Sequence, residues 1–99
     1  MLQVRQTTHF QKWLRELADR RAALRILQRL ARLELGLFGD VKFFDGLGEL
    51  RIDHGPGYRV YFVRRAQVII VVLCAGDKGS QQRDIARAKA MIEEIGDEG

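Results

Sequence analysis

Two arginines, Arg51 and Arg59, stand in the stretch ELRIDHGPGYRVYF, Glu49 to Phe62, each inside an apolar, β-prone run. A charge in mid-strand persists only where its side chain reaches water or an anion. If the two runs pair through the DHGPG turn, both side chains project from the same non-core face, with Tyr61 near them. Cross-strand neighbours lie about 5 Å apart, so two like charges there repel unless a negative group sits between them. Two arrangements satisfy that condition. Glu49 and Asp53 can neutralise the arginines internally, as a salt-bridged outer sheet face. Alternatively, the two guanidinium forks hold a phosphate.

A third cation extends the second arrangement. CAGDKGSQQ, Cys74 to Gln82, ends an apolar strand with a glycine-rich turn carrying Asp77 and Lys78. The turn abuts a helix N-terminus, whose free N–H groups favour anions. GDKG alone is also an ordinary turn. Lys42, in GDVKFF, either adds positive charge or is simply solvated. His54 has the chemistry of a general base but sits in a tight turn beside Gly55 and Pro56, where an exposed histidine needs no special role. His9 falls in a first helical turn. Ser80 has no evident His/Asp partnership, so nucleophilic hydrolase chemistry is unsupported. Two histidines and one cysteine, not clustered with carboxylates, carry no zinc or iron signature, so no metal and no cofactor is expected. Cys74, in an apolar run, reads as a buried, inert thiol.

These side chains need a scaffold, and the hydrophobic pattern supplies one. LQVRQT alternates as a short strand. Thr8, with Gln11 three residues on, predicts a capping box and a first helix with Phe10, Trp13, Leu14 and Leu17 on one face. Asp19 can cap a second helix whose buried stripe is Ala23, Ile26, Leu27, Leu30 and Leu33, ending at Gly36. The two form an antiparallel hairpin able to cover one face of a sheet. The second helix also carries Arg21, Arg25, Arg29 and Arg32 as one cationic ridge, either a solvated helix face or a surface that docks on nucleic-acid phosphate. After a loop over Phe43 to Gly48, three strands follow: Glu49 to Asp53, Tyr58 to Arg64, and Val68 to Cys74. Leu50 and Ile52 oppose Glu49, Arg51 and Asp53; Tyr58, Val60 and Phe62 oppose Arg59, Tyr61 and Val63. VIIVVLC does not alternate, as suits a central strand covered on both faces. Short connections make an antiparallel meander. Ser80 can cap a last helix with Ile85, Ala88, Ile92 and Ile95 at helical spacing.

The chain has 99 residues, 46% hydrophobic and 30% charged, a globular balance that bounds the expectation to one domain, 1–99. No apolar run reaches the roughly 20 residues of a membrane span, and Met1 to Gln6 lacks a secretory pattern, so no membrane and a cytoplasmic address are expected. The net charge is +4, yet Glu93, Glu94, Asp97 and Glu98 concentrate acid in the tail. The remaining body is therefore more basic than the total, which favours a polyanionic partner.

Three stretches, in order, resemble a known family: FQKWLRELADRRAALRILQRLARLELGLFGDVK, GLGELRIDHGPGYRVYFV and CAGDKGSQQRDIARAKAMI. They are similar to the addiction-module killer proteins of the RelE/ParE toxin superfamily, close to its HigB-like branch, over roughly Val4 to Ile92. The resemblance implies an α+β fold of order β-α-α-β-β-β-α, an antiparallel meander with an N-terminal edge strand. It implies a cognate helix-turn-helix antitoxin, with operator DNA reached only through that antitoxin. It further implies ribosome-dependent messenger RNA cleavage without metal, in which the ribose 2′-OH attacks the scissile phosphate. Arg59 in GYRVYF matches the superfamily's strand arginine, Arg51 falls where a strand lysine is common, and Lys78 falls near the basic residue after the last strand. Glu49 departs from a lysine found in RelE, and no tyrosine follows Lys78 at the place RelE has one. Tyr58, Tyr61, His54 and Asp77 are then the candidates to move protons, since an arginine stays protonated at neutral pH. RNA contact is expected from Lys42, Tyr58 and the ridge Arg21, Arg25, Arg29 and Arg32. The same fold also serves ParE-like gyrase inhibitors, and an inactive antitoxin-binding module is a further alternative.

Overall fold

Thr7 has extended backbone and its hydroxyl accepts the Phe10 N–H at 3.1 Å, so the first helix is capped one residue earlier than the Thr8 capping box predicts. The same hydroxyl donates to the Leu73 carbonyl at 2.7 Å, which holds it one position ahead of the pattern. The computed structural model describes residues 1–95, so Asp97 and Glu98 of the acidic tail lie outside the described residues. Its elements are β1 (Gln3–Gln6), α1 (Thr8–Glu16), α2 (Arg20–Glu34), β2 (Val41–Phe44), β3 (Leu47–Ile52), β4 (Tyr58–Arg65), β5 (Ile69–Asp77) and α3 (Gln81–Ile95). A short 3-10 turn, Lys78–Ser80, joins β5 to α3.

The mixed α+β architecture holds, with one strand more than the sequence suggests. The stretch read as a loop, Phe43 to Gly48, is part of a β2–β3 hairpin closed by Asp45-Gly46, both at positive φ (50° and 79°). That is the backbone of a type I′ turn, which Asp-Gly favours. The sheet runs β1-β5-β4-β3-β2, antiparallel throughout except for β1, which lies parallel to β5 at the edge. β5 is continuously apolar because both its faces are covered.

The faces divide by strand alternation. The α1–α2 hairpin covers one, where Phe10, Ile26, Leu33, Leu50, Val60 and Phe62 are all essentially without exposure. Each such side chain contributes about 1.5–3 kcal/mol on leaving water. α3 covers the other, its Ala88, Ile85 and Ile92 packing on Tyr61, Val63 and Leu73. Gly48 is required between the layers, because a Cβ there would collide with the Phe62 ring. Within the α2 stripe Leu27 is 43% exposed and Ala22 takes its place inside, the helix being rotated slightly from the expected phase.

Asp19 caps α2 as expected, accepting from Arg21 N and Ala22 N, and its second oxygen meets His54 Nε2 at 3.0 Å. The cap therefore also latches the β3–β4 turn onto the helical hairpin. Asp19→Ala is expected to cost about 1 kcal/mol through the lost cap, read as a lower urea midpoint, with His54 resonances shifting alongside.

Candidate nucleic-acid interface

Pairing of β3 with β4 sets Arg51 directly opposite Arg59, and Ile52 opposite Tyr58, so the two arginines share the face away from the helical hairpin. The neighbouring row across the sheet is Lys42, Glu49, Tyr61 and Cys74, on the same face. At the end of β5 the chain turns so that Lys78 N donates to Gly57 O at 2.8 Å, bringing the lysine against the β3–β4 turn. Arg51, Arg59 and Lys78 consequently line one open groove of about 350 Å³, whose other walls include Asp40, Asp53 and Gly57. Strand register alone places the two arginines, whereas the Lys78 position depends on the hydrogen bond to the turn.

The charges of the groove are only partly balanced. Arg51 Nε lies 3.3 Å from Glu49 Oε1, with the arginine side chain 35% exposed and the glutamate 1%. Tyr61 donates its hydroxyl to Glu49 Oε2 at 3.0 Å and the Gln81 amide donates to the same oxygen at 2.7 Å. Burial pushes the Glu49 carboxyl upward, and the hydrogen bonds from Gln81, Tyr61 and Arg51, with the charge of Arg59, outweigh it, so the group stays below its ordinary value. Tyr61 is pushed strongly upward, first by burial and then by Glu49. Arg59 acts on Glu49 through charge alone and makes no ion pair of its own among the described residues. Its Nε is buried without a hydrogen-bond acceptor, a costly state that an incoming anion would relieve. Lys78 makes no ion pair among the described residues. The salt-bridged alternative thus describes Arg51 and not Arg59 or Lys78.

Several sequence candidates are placed elsewhere. Tyr58 is buried on the hairpin face, edge-on to Trp13, and cannot reach the groove. Strand alternation puts it opposite in direction to Arg59. His54 is bound to Asp19 and does not line the groove. Tyr61 is fully buried, so it orients Glu49 rather than meeting a ligand. Asp77, not Ser80, caps the turn before α3 by accepting Ser80 N at 3.1 Å. Ser80 instead donates to Asp84 Oδ2 at 2.5 Å. Lys42 is exposed, its ammonium 5.6 Å from the Phe44 ring centroid, one strand beyond Glu49.

The cationic ridge divides in two. Arg25, Arg29 and Arg32 line a broad depression with Ile52 and Asp53, two residues that also border the groove, while Arg21 is outside it. Arg29 is committed to the backbone, donating to Arg51 O at 2.6 Å, Phe38 O at 3.1 Å and Asp40 O at 3.2 Å. Burial lowers its guanidinium from the ordinary value, opposed by Asp40. It therefore fixes the strand that carries Arg51 instead of standing free in solvent. The residues that sequence reasoning passed over are Gln81 and this structural use of Arg29, both long-range contacts without a local signature.

Among the described residues no group of three His, Cys, Asp or Glu side chains is placed to hold a metal ion, and no helix is long and apolar enough to cross a membrane. Cys74 is buried, its thiol pushed up to about 12 by burial first.

A protein of Haemophilus influenzae, itself described as uncharacterized, is 45% identical over 96 residues, covering 96% of this chain and 97% of its own length. The family model described as phage derived protein Gp49-like (DUF891) matches residues 12–94, a span that includes α2, the whole β2–β5 meander, the Arg51/Arg59/Lys78 groove and nearly all of α3. The chain belongs to this Gp49-like family, a toxin-like family.

Proposed function

We propose that the chain is the toxin of a type II toxin–antitoxin pair, of HigB-like type, acting in the cytoplasm as a ribosome-dependent messenger RNA endoribonuclease. A cognate helix-turn-helix antitoxin neutralises it. The observation that carries this reading is the convergence of Arg51, Arg59 and Lys78 on one groove, with Arg59 Nε buried and unpaired. Fixed cations, of which Arg59 and Lys78 make no ion pair among the described residues, suit a ligand whose negative charge grows during reaction, as on a phosphate under attack.

In this mechanism Arg59 and Arg51 grip the non-bridging oxygens of the scissile phosphate, and no metal is called for because the guanidinium groups take up the developing charge. The ribose 2′-OH attacks phosphorus, the bond to the 5′ oxygen breaks, and a 2′,3′-cyclic phosphate and a 5′-hydroxyl result. One proton leaves the 2′-OH and one joins the departing oxygen. Asp53 or Asp40, the carboxylates that line the groove, accept the first. The Lys78 ammonium, at the rim, delivers the second. Arg25 and Arg32 extend the cationic surface toward ribosomal RNA.

Inducing the chain in cells and mapping transcript 5′ ends tests the reading. New 5′-hydroxyl ends within translated codons are expected, and Lys78→Ala is expected to lower their yield by about 10²-fold with growth arrest relieved. Arrest with intact transcripts and gyrase-linked DNA breaks would overturn the nuclease assignment, and no arrest in the absence of an antitoxin would overturn the toxin reading itself.

A further inference from the structure

The groove leaves unexplained a second cleft, of about 320 Å³, on the far side of β5. β1 ends at Gln6 opposite Val72, so the last residues of β5 have no strand beside them on that edge. The cleft forms there, between the starts of α1 and α3. His9 and Trp13, one helical turn apart, line one wall, Arg83, Asp84 and Arg87 the other, with Gly76 of β5 between them. Gly76 is register-paired with Arg59. The strand backbones at the two sites are thus one spacing apart, about 4.8 Å, and the Asp77–Ser80 turn joins them, Lys78 lining the groove while Asp77 and Ser80 line the cleft.

Its lining differs from that of the groove. Arg83 and Arg87 are balanced by Asp77 and Asp84; Asp84 is only 5% exposed and accepts from Ser80 Oγ. Near-neutral charge makes a poor phosphate site. What the cleft combines is an aromatic ring, hydrogen-bond donors and acceptors, and bare strand backbone. Gly76 stays bare because a side chain there would strike Asp84 and Ser80. Trp13 is partly exposed and held in place by the Phe10 ring, stacked at 6.0 Å, and by Tyr58, edge-on at 6.1 Å. Such a set matches a nucleobase, which offers one π-face and one polar edge.

We propose that this cleft binds the base of the nucleotide next to the phosphate gripped by Arg59, stacking it on Trp13 and reading its edge with the Arg83 and Asp84 side chains. The inference rests on the reading of the groove as an RNA phosphate site. It gives the chain a sequence preference at one position flanking the cut.

Trp13 is the sole tryptophan, so its fluorescence and its indole N–H resonance report from the cleft alone. The probes are a tetraribonucleotide made uncleavable by 2′-O-methylation and two versions of it, abasic on one or the other side of the central phosphate. The intact probe is expected to quench Trp13 and shift the Gly76 amide, and one abasic version to bind about tenfold more weakly. Trp13→Leu should bind the intact probe as weakly as wild type binds that abasic one. Because Trp13 also packs in the core, Arg83→Ala, on an exposed helix face, is the companion variant, and it should lose most of the discrimination. Arg59→Ala should weaken all three probes alike. Salt-sensitive binding in which the abasic probes equal the intact one and the Trp13 signals stay still would remove the base site and leave the phosphate groove standing. Failure of every probe to bind would remove both.

Discussion

On the proposed endoribonuclease reading, Arg59→Ala is expected to lower transcript cleavage by about 10²–10³-fold, the loss of roughly 2.7–4 kcal/mol that follows removal of one fixed donor to a charge-developing centre. The expectation is large because the Arg59 side chain makes no hydrogen bond or ion pair among the described residues and acts on Glu49 through its charge alone. Its Nε is buried and unpaired, whereas Arg51 is already engaged with Glu49. The melting temperature should change little, because alanine removes a buried donor without an acceptor and a like charge directly opposite Arg51, which offsets the lost attraction to the Glu49 carboxylate. Arg59→Lys keeps the charge but loses the planar fork, and recovers only part of the rate. Cleavage measured on purified, folded variants checks this. Wild-type activity in folded Arg59→Ala would show that the phosphate is held elsewhere.

Glu49→Ala combines a stability loss with an activity loss. The glutamate is fully buried and receives Tyr61, Gln81 and Arg51. Its removal strands the buried Tyr61 hydroxyl and the Gln81 amide and leaves a gap, together about 3 kcal/mol. At this chain length that lowers the melting temperature by about 12–24 °C. Arg51 and the start of α3 lose their common anchor, so activity should fall at temperatures where the variant is still folded. The pH dependence carries a sign. Glu49 is held below its ordinary 4.5 in the folded chain, so its contribution is full above that value and lost as pH falls through the lower, folded one. Wild type and Glu49→Gln should therefore converge in stability on acidification below pH 4.5. Denaturant midpoints measured across that range decide it, and a constant gap between the two would refute the linkage.

Local pattern was a sound guide wherever one residue's neighbours decide its environment. Alternation in Tyr58 to Val63 separates the two faces of β4, and Asp19 and Gly36 mark the ends of α2 as their chemistry requires. It misjudged features that distant atoms settle. Thr7 displaces Thr8 as the cap because Leu73, sixty-six residues on, offers its carbonyl. The β2 strand was readable from Asp45-Gly46, but its four residues alternate too briefly to stand out against a loop.

The candidate site shows the same division. Strand alternation determines that Arg51 and Arg59 share a face, through period-2 geometry, and net charge raises the expectation of an anionic partner; that α3 covers much of this expected non-core face, burying Tyr61 and Glu49, was decided by tertiary packing. Only the folded arrangement decides which cation is free. Glu49 and Asp53 are equally near Arg51 in sequence, yet only Glu49 pairs with it, and Arg29 reaches the strand backbone from α2. His54 is drawn to Asp19, and Lys78 is brought in by a hydrogen bond to Gly57. Pairing energies at a few ångströms depend on positions that loops and helix packing set, and no one-dimensional pattern encodes them.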